Sequence, residues 1–376
     1  MKFIPFDLEH SQSIWEQKVE FNLTESGVHP ITLNELIGDD QDLLDKLLRL
    51  EINYPHVNGI PRLRELIASL YAGAAIENVL VTVGAAEANQ IIMQTLLEDG
   101  DEIASLSPTY KQVWGVAANA GYSVRPFCLD PDKGWALDIE DLNRQVNDST
   151  KIIALVNPNN PTGHILNDEE MDEIVMAADR VGAWILSDEV YRGAEREQEE
   201  ESCSFFSKYD KVLAVGSMSK AYGLPGLRVG WIVGPSATIE ELWRRHEYTA
   251  ISAGMISNHL AAHALSPEVR IRLRTRARNY ISSGYPVLKQ WLDYQTGLFS
   301  YTPPQASAVT FIRYHLDINS TVLMEKLCQE ASVFVAAGDA FGMDQHIRIA
   351  FGQEKSVLDE AFSRIQRVLE NLRKLS

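Results

Sequence analysis

From about Val79 the chain alternates short apolar runs with stretches spaced for amphipathic helices, the pattern of a parallel sheet covered by helices on both faces. "NVLVTVG" predicts a strand and "AAEANQIIMQTLLEDG" a helix closed by Gly100. "DEIASLSP" and "SVRPFCLD" predict strands on either side of the helical "KQVWGVAANAGY". "TKIIALVNPNNPTG" predicts a strand running into an Asn/Pro loop, after which Asn167 or Asp168 caps "DEEMDEIVMAADRVG". "AWILSDEVY" and "KVLAVGSMSK" repeat the theme. In each case polar residues collect at the carboxyl end of an apolar strand, where open α/β sheets bind ligands.

The ends of the chain are patterned differently. Residues 1–45 carry isolated helix and turn signals, and one long helical pattern runs from about Ser257 to Gln295. "SAVTFIRYH", "VFVAAG" and "HIRIAFG" then predict strands before a closing amphipathic helix, "VLDEAFSRIQRVLENLRKL". The expected organisation is α/β: a large domain over 46–275 and a smaller α+β domain over 276–376, to which the arm 1–45 contributes.

Composition narrows the partners. The 376 residues carry 52 acidic against 34 basic side chains, a formal charge of −18, which offers no electrostatic footprint for nucleic acid or an anionic membrane. A small molecule is the expected partner. Cys128, Cys203 and Cys328 are odd in number and far apart, which suits neither a disulfide framework nor a zinc site and points to a reducing cytoplasm. The start "MKFIPFDLEHSQ" reaches Pro5 and Asp7 before an apolar run builds a signal peptide, and no apolar stretch is long enough to span a membrane. His259 and His263 lie one helical turn apart, but Leu260 stands where H-E-x-x-H needs Glu, so no metal is expected. The acidic run "EREQEEE" reads as a solvated loop and "RIRLRTRARN" as a salt-bridged, solvated helix face.

The chemistry gathers around "GSMSKAYGLPGLRVGW". Ser217 and Lys220 make an S-x-x-K pair, yet the S-D-N and K-T-G elements that such acylated serines require downstream are absent. The other reading makes Lys220 the covalent centre, its amine holding an aldehyde cofactor as a Schiff base. Arg228, placed by pattern inside an apolar strand, then needs an anion, and Ser217 and Ser219 donate to a phosphate. Gly84 turns the chain so that the amides of Ala85 and Ala86 open a helix N-terminus, a second phosphate contact. Asp188 ends the strand "WILSD", where burial calls for a cation such as a protonated pyridine nitrogen. Tyr191 and Asn160 stand where they reach a phenolic oxygen of that ring, and Tyr110 offers its face.

This ordered set resembles the pyridoxal-phosphate-dependent class I/II aminotransferases of fold type I. The resemblance runs from "YPHVNGIPRLRELIA" through "VTVGAAEA", "SPTY", "NPNNPTG", "SDEVY" and "SMSKAYGLPGLRVGW" to "HIRIAFG". It implies a mostly parallel seven-stranded sheet between helices, with pyridoxal 5′-phosphate as cofactor and a homodimer with shared sites. It also implies Lys220 as the Schiff-base lysine, Asp188 at the pyridine nitrogen, and Asn160 and Tyr191 at the phenolic oxygen. Ser217, Ser219, Arg228, Ala85 and Ala86 match phosphate positions, Tyr110 the stacking aromatic, and Tyr54 a tyrosine reaching the neighbouring subunit's phosphate. Arg348 matches the arginine that grips the substrate α-carboxylate. The implied reaction moves the amino group of a free α-amino acid to a 2-oxo acid, with Lys220 taking the α-proton.

One segment departs. Where members often carry a Gly-Glu-Pro-like turn, this chain has "NLTESGVHPITLNEL", which looks most like the branch containing capreomycidine synthases. Gly27 aligns there with a glycine that closes over substrate, and Glu25 and Ser26 become specificity candidates. The departure opens β-elimination or cyclisation as an alternative outcome. The acidic surplus leaves open a cationic substrate. A non-enzymatic regulator with the same cofactor is expected to need a helix-turn-helix region, for which there is no room ahead of "YPHVNG".

Overall fold

The structure, a computed structural model, describes residues 3–375. Fourteen strands follow in chain order: β1 (Phe21–Asn22), β2 (Val79–Thr82), β3 (Glu102–Ser107), β4 (Ser123–Asp130), β5 (Ala136–Leu137), β6 (Thr150–Val156), β7 (Trp184–Asp188), β8 (Val212–Ser217), β9 (Gly230–Val233), β10 (Phe299–Tyr301), β11 (Val309–Tyr314), β12 (Val333–Phe334), β13 (Ala336–Ala337) and β14 (His346–Ala350). The main sheet has the order β2-β9-β8-β7-β6-β3-β4-β5. Its pairs from β8 to β4 are parallel, β9 runs antiparallel to both neighbours, and the two-residue β5 is an eighth strand beyond the expected seven.

The apolar runs become strands because burial on both faces rewards unbroken hydrophobicity. Every residue of β7 after Trp184, and all of β8, is buried. Between β6 and β7, the helix Asp168–Val181 opens on Asn167, whose side chain accepts from Glu170 N while Glu170 reciprocates, a full capping box. From β3 the chain builds outward to β4, and from β6 it builds the other way through β7 and β8. The strand order therefore reverses between β3 and β6, and crevices at such reversals are where open sheets bind ligands.

A second sheet, β10-β11-β14-β13, is antiparallel. The pair β1-β12 joins the start of the chain to the region that carries it. Three expectations on elements change. The helix after β2 spans Gly84–Leu96 and stops short of Gly100. The long helical pattern is two helices, Met255–Ala264 and Pro267–Tyr294, broken where Pro267 starts the second. "VFVAAG" is split between two sheets.

The acidic run and the arginine helix also turn out to be partners. Arg270, Arg274 and Arg278, spaced four apart on Pro267–Tyr294, share one face. Arg270 and Arg274 pair with Glu201, and Arg278 with the buried Glu195. The loop is thus cross-linked at both ends instead of solvated throughout. The neighbouring stripe serves another purpose. Arg272 donates to the carbonyls of Glu35 and Leu36 at 2.8 and 2.7 Å, and Arg276 to those of His29 and Pro30 at 2.7 and 3.1 Å. His263 Nε2 lies 3.2 Å from the Leu36 carbonyl. No helix of the described residues is long and apolar enough to cross a membrane.

Candidate active site

A cavity of about 300 Å³ opens at the carboxyl ends of β6, β7 and β8. It is walled by Val156, Asp188 and Ser217 from the strand ends, by Tyr110 and Asn160 from the loops after β3 and β6, and by Lys220. The N-terminal arm forms the opposite wall, with Leu8 and Glu9 of the helix Asp7–Trp15 and with Glu25 and Ser26.

Lys220 lies three residues beyond β8 in a turn. The segment Thr24–Gly27 crosses directly over it, so close that a Cβ on Gly27 would lie 3.4 Å from the Lys220 Cα. Lys220 Nζ is 3.5 Å from Glu25 Oε2. Burial disfavours the ammonium, but Glu25, followed by Tyr191, more than offsets this and holds the Lys220 pKa above the ordinary lysine value. Reciprocally, Lys220 and then Arg348 keep Glu25 below the usual carboxylate range despite its burial. Ser217 Oγ is engaged with Ser219 and the Val229 carbonyl, so the serine is not paired with the lysine.

Asp188, 3% exposed, ends β7 and points into the cavity. Its Oδ2 accepts from Asn89 Nδ2 at 2.9 Å and its Oδ1 from Val190 N at 3.3 Å. Burial outweighs these bonds and pushes its pKa to about 6. Neighbouring Tyr191 donates to Ser26 Oγ at 2.8 Å, and burial raises its pKa against the pull of Lys220 and Arg348. The Tyr110 ring lines the cavity and packs on Phe6, while its hydroxyl donates to Glu9 Oε1 at 2.5 Å.

At the other end, backbone fills the space that side chains would take. A Cβ on Gly230 would lie 2.5 Å from the Gly84 carbonyl carbon, and one on Gly84, at φ +74°, would strike Arg228 Nη2 at 2.5 Å. The helix Gly84–Leu96 begins here, so the amides of Ala85 and Ala86 in its first turn have no intrahelical acceptors. Ser217 and Ser219 stand opposite with hydroxyls 2.9 Å apart. Arg228 corrects an expectation. It does not lie inside the strand β9 but precedes it, exposed, in the left-handed conformation (φ +50°) after the turn Pro225–Leu227. It meets the cavity because the turn aims it there, not because burial demands an anion.

Arg348 is where a buried guanidinium does go unanswered. It lies in the middle of β14, 1% exposed, against the Phe341 ring. Nη1 donates to Asn160 Oδ1 at 2.7 Å and Nη2 to the Thr24 carbonyl at 2.5 Å, both neutral, and Nε has no partner. Burial lowers its pKa, and the pull of Tyr191 and Glu25, neither of them paired with it, does not make up the loss. Of the expected site residues, Ala85, Ala86, Tyr110, Asn160, Asp188, Tyr191, Ser217, Ser219, Lys220, Arg228 and Arg348 line this one cavity, and Gly27 packs on Lys220. Tyr54 does not join them: it is 75% exposed on the surface.

Asn89, Glu9 and Gln12 line the cavity and escape the sequence reading. Asn89 left a trace, being a polar residue at a position otherwise apolar by helical spacing, with Ala85, Ala88 and Ile92. Its Oδ1 is buried without a partner. Glu9 and Gln12 left none, since their helix is short and polar on most sides.

The family profile described as aminotransferase class I and II matches residues 45–365. The chain is 29% identical to capreomycidine synthase of Streptomyces vinaceus, over 93% of this chain and 89% of that one. It is 27% identical to an aspartate aminotransferase of Pyrococcus horikoshii, over 83% and 82%. A PLP-dependent aminotransferase from Streptococcus suis superposes with a TM-score of 0.93 at 30% identity, covering 99% of both chains. Pyridoxal 5′-phosphate is the cofactor these matches share, and the cavity fits it. A buried carboxyl without a cation, an orphaned Asn89 oxygen beside it, and a glycine-lined helix start at the far end answer a ring nitrogen and a phosphate respectively.

Proposed function

The chain belongs to the class I and II aminotransferase family, and from that premise we propose that it moves the amino group of a free α-amino acid to a 2-oxo acid. The observation that carries the reading is Arg348, a buried guanidinium facing the cavity with no ion-pair partner among the described residues. A free α-carboxylate is the anion that such a fork is shaped to accept.

When bound, pyridoxal 5′-phosphate supplies an aldehyde that captures an amine and a protonated ring that draws electrons from the α-carbon. The protein's own groups divide the remaining work. Ser217, Ser219, Arg228 and the amides of Ala85 and Ala86 hold the phosphate. Asp188 keeps a proton on the ring nitrogen, and Asn89 keeps Asp188 in place. Asn160 and Tyr191 bind the phenolic oxygen, with Ser26 orienting the tyrosine. Arg348 turns the substrate so that its α-hydrogen faces Lys220 Nζ, which takes the proton. The helix Asp7–Trp15 covers the mouth and limits water, latched by Lys111 Nζ to Asp7 at 2.5 Å.

The substrate side chain is read from the arm. With Lys220 Nζ neutral as the proton acceptor and Arg348 committed to the carboxylate, Glu9 and Glu25 remain as carboxylates on the cavity wall without cations. A basic side chain answers them. We also take the active form to be a homodimer in which Tyr54 reaches the partner's phosphate. Tyr54 stands on a surface with the exposed Leu44, Leu48 and Ile52, and the helix Gln41–Leu48 that carries the two leucines has no buried residue. We divide the chain at about 45 and 275, as the sequence pattern does. A second reading, β-elimination or cyclisation, is favoured by the similarity to capreomycidine synthase.

One experiment separates the outcomes: incubation of the cofactor-loaded protein with a panel of amino acids, following cofactor absorbance and product mass. Transfer is expected to leave the cofactor in its amine form when no 2-oxo acid is present, and to restore the aldehyde when one is added. Ammonia or a cyclised product, with the aldehyde returning unaided, gives the reaction to the second reading.

A further inference from the structure

Glu87 and His246 are buried and titratable, and the chemistry above uses neither. Glu87 lies in the first turn of Gly84–Leu96, directly after Ala85 and Ala86. Its Oε2 accepts from Val83 N at 2.6 Å, at the mouth of that helix. Its Oε1 accepts from His246 Nδ1 at 2.9 Å, from the Thr249 hydroxyl, and from Ala250 N at 3.2 Å. His246 ends the helix Ser236–His246 and is fully buried. Its second ring nitrogen, Nε2, lies 3.1 Å from the carbonyl oxygen of Val57.

The two ring nitrogens therefore face two acceptors. A neutral imidazole has a single N–H, and Glu87 already receives donors at both oxygens, so both contacts are satisfied only when each ring nitrogen carries a hydrogen. The result is a charge-assisted tie from the Glu87 carboxylate through the ring to the Val57 carbonyl. It joins two segments that each meet a phosphate in the reading above. One is the helix start with its free amides. The other is the loop through Tyr54 and Val57, otherwise pinned here by Val81 N on the Asn58 carbonyl at 3.1 Å and by Ile60 N on Asn258 Oδ1 at 3.2 Å.

We propose that His246, held by Glu87, is a positioning residue that sets both the phosphate cradle of its own subunit and the reach of Tyr54 toward the partner's. The proposal rests on the assignment of Ala85, Ala86 and Tyr54 as phosphate contacts. Its two halves have separate readouts.

The test compares binding of pyridoxal 5′-phosphate and of pyridoxal, which lacks the phosphate, to the cofactor-free protein and its His246→Gln and Glu87→Gln variants. The phosphorylated ligand is expected to weaken about tenfold in each variant, in the range by which groups behind a ligand tune affinity, while pyridoxal is unmoved. Equal weakening of both ligands, or of neither, overturns the positioning role. If wild type itself does not prefer the phosphorylated ligand, the cradle assignment fails first, and that result is distinct. For the loop, Tyr54→Phe is expected to lower affinity less in the His246→Gln background than in wild type; strictly additive losses overturn that half. Nitrogen-15 resonances of His246 in wild type decide the matter if the variants do not fold. Two protonated ring nitrogens support the tie, and one overturns it.

Discussion

Asp188 and Glu189 are adjacent at the end of β7, equally buried, and burial raises the pKa of both. They differ in their company. Glu189 turns away from the cavity and is saturated: Ser187, Ser204 and Phe205 N donate to Oε1, and Arg192 pairs with Oε2 at 3.2 Å. Asp188 turns into the cavity with an amide and a backbone N–H and no cation. A shifted pKa alone would not tell the structural acid from the functional one. The absence of a countercharge beside a cavity does, and it singles out Arg348 from the paired arginines by the same logic.

The largest expected effect sharpens this contrast. In the cofactor-loaded protein, Asp188→Ala should lower turnover about a thousandfold at saturating substrate, because the ring nitrogen loses its partner. Glu189→Gln should instead lower folding stability by about 2 kcal/mol, the scale for losing a hydrogen bond to a buried charge while Arg192 keeps Glu201, with turnover per folded molecule retained. Steady-state kinetics and denaturant titration measure the two. A Glu189 variant that folds fully and loses turnover would erase the distinction.

The next effect reverses the sign. Without cofactor, the Asp188 carboxyl ionises at about 6 when folded against 3.8 for a freely solvated aspartate, so the folded chain binds the proton more tightly than the unfolded one does. This group's contribution to stability is then present below the unfolded value and is lost as pH rises through about 6. Cofactor-free Asp188→Asn should therefore lie within about 0.5 kcal/mol of wild type near pH 4 and exceed it by up to about 3 kcal/mol at pH 8. Melting curves across that range check it, and a constant difference would mean that the carboxyl's charge is not what burial penalises.

The smallest effect concerns the arm. Glu25→Gln should raise KM for amino acids with basic side chains about tenfold and leave neutral ones nearly unchanged, since a partly exposed charge contact is worth on the order of 1 kcal/mol. A uniform rise across side chains would return Glu25 to a role at Lys220 alone.

Much of the cofactor side is legible in the sequence because it depends on position along single elements. A polar residue ending an apolar strand marks the sheet's carboxyl edge, and Asp188, Ser217 and Asn160 all arrive there. What escapes depends on elements meeting. Glu201 finds Arg270 and Arg274 across some seventy residues of chain, which periodicity does not encode. Glu9 reaches Tyr110 across a hundred. The run "RVGW" continues an apolar pattern and so draws Arg228 into β9; its left-handed backbone follows from the turn before it, where the whole site constrains one residue. The arm is the least legible part, since over residues 29–36 it is held by main-chain carbonyls that leave no side-chain signature.

That manner of holding has an evolutionary consequence. Arg272 and Arg276 grip carbonyl oxygens of residues 29–36, and every amino acid offers the same oxygen there. Substitutions in residues 29–36 therefore leave these moorings intact, and Glu25 on the adjoining wall over Lys220 can change without loosening them. Selection for a new side chain is free to sample Glu25 while Ser26 and Gly27, which touch Tyr191 and Lys220, stay fixed, so the same scaffold can drift from one amino acid to another through short, separable mutational steps.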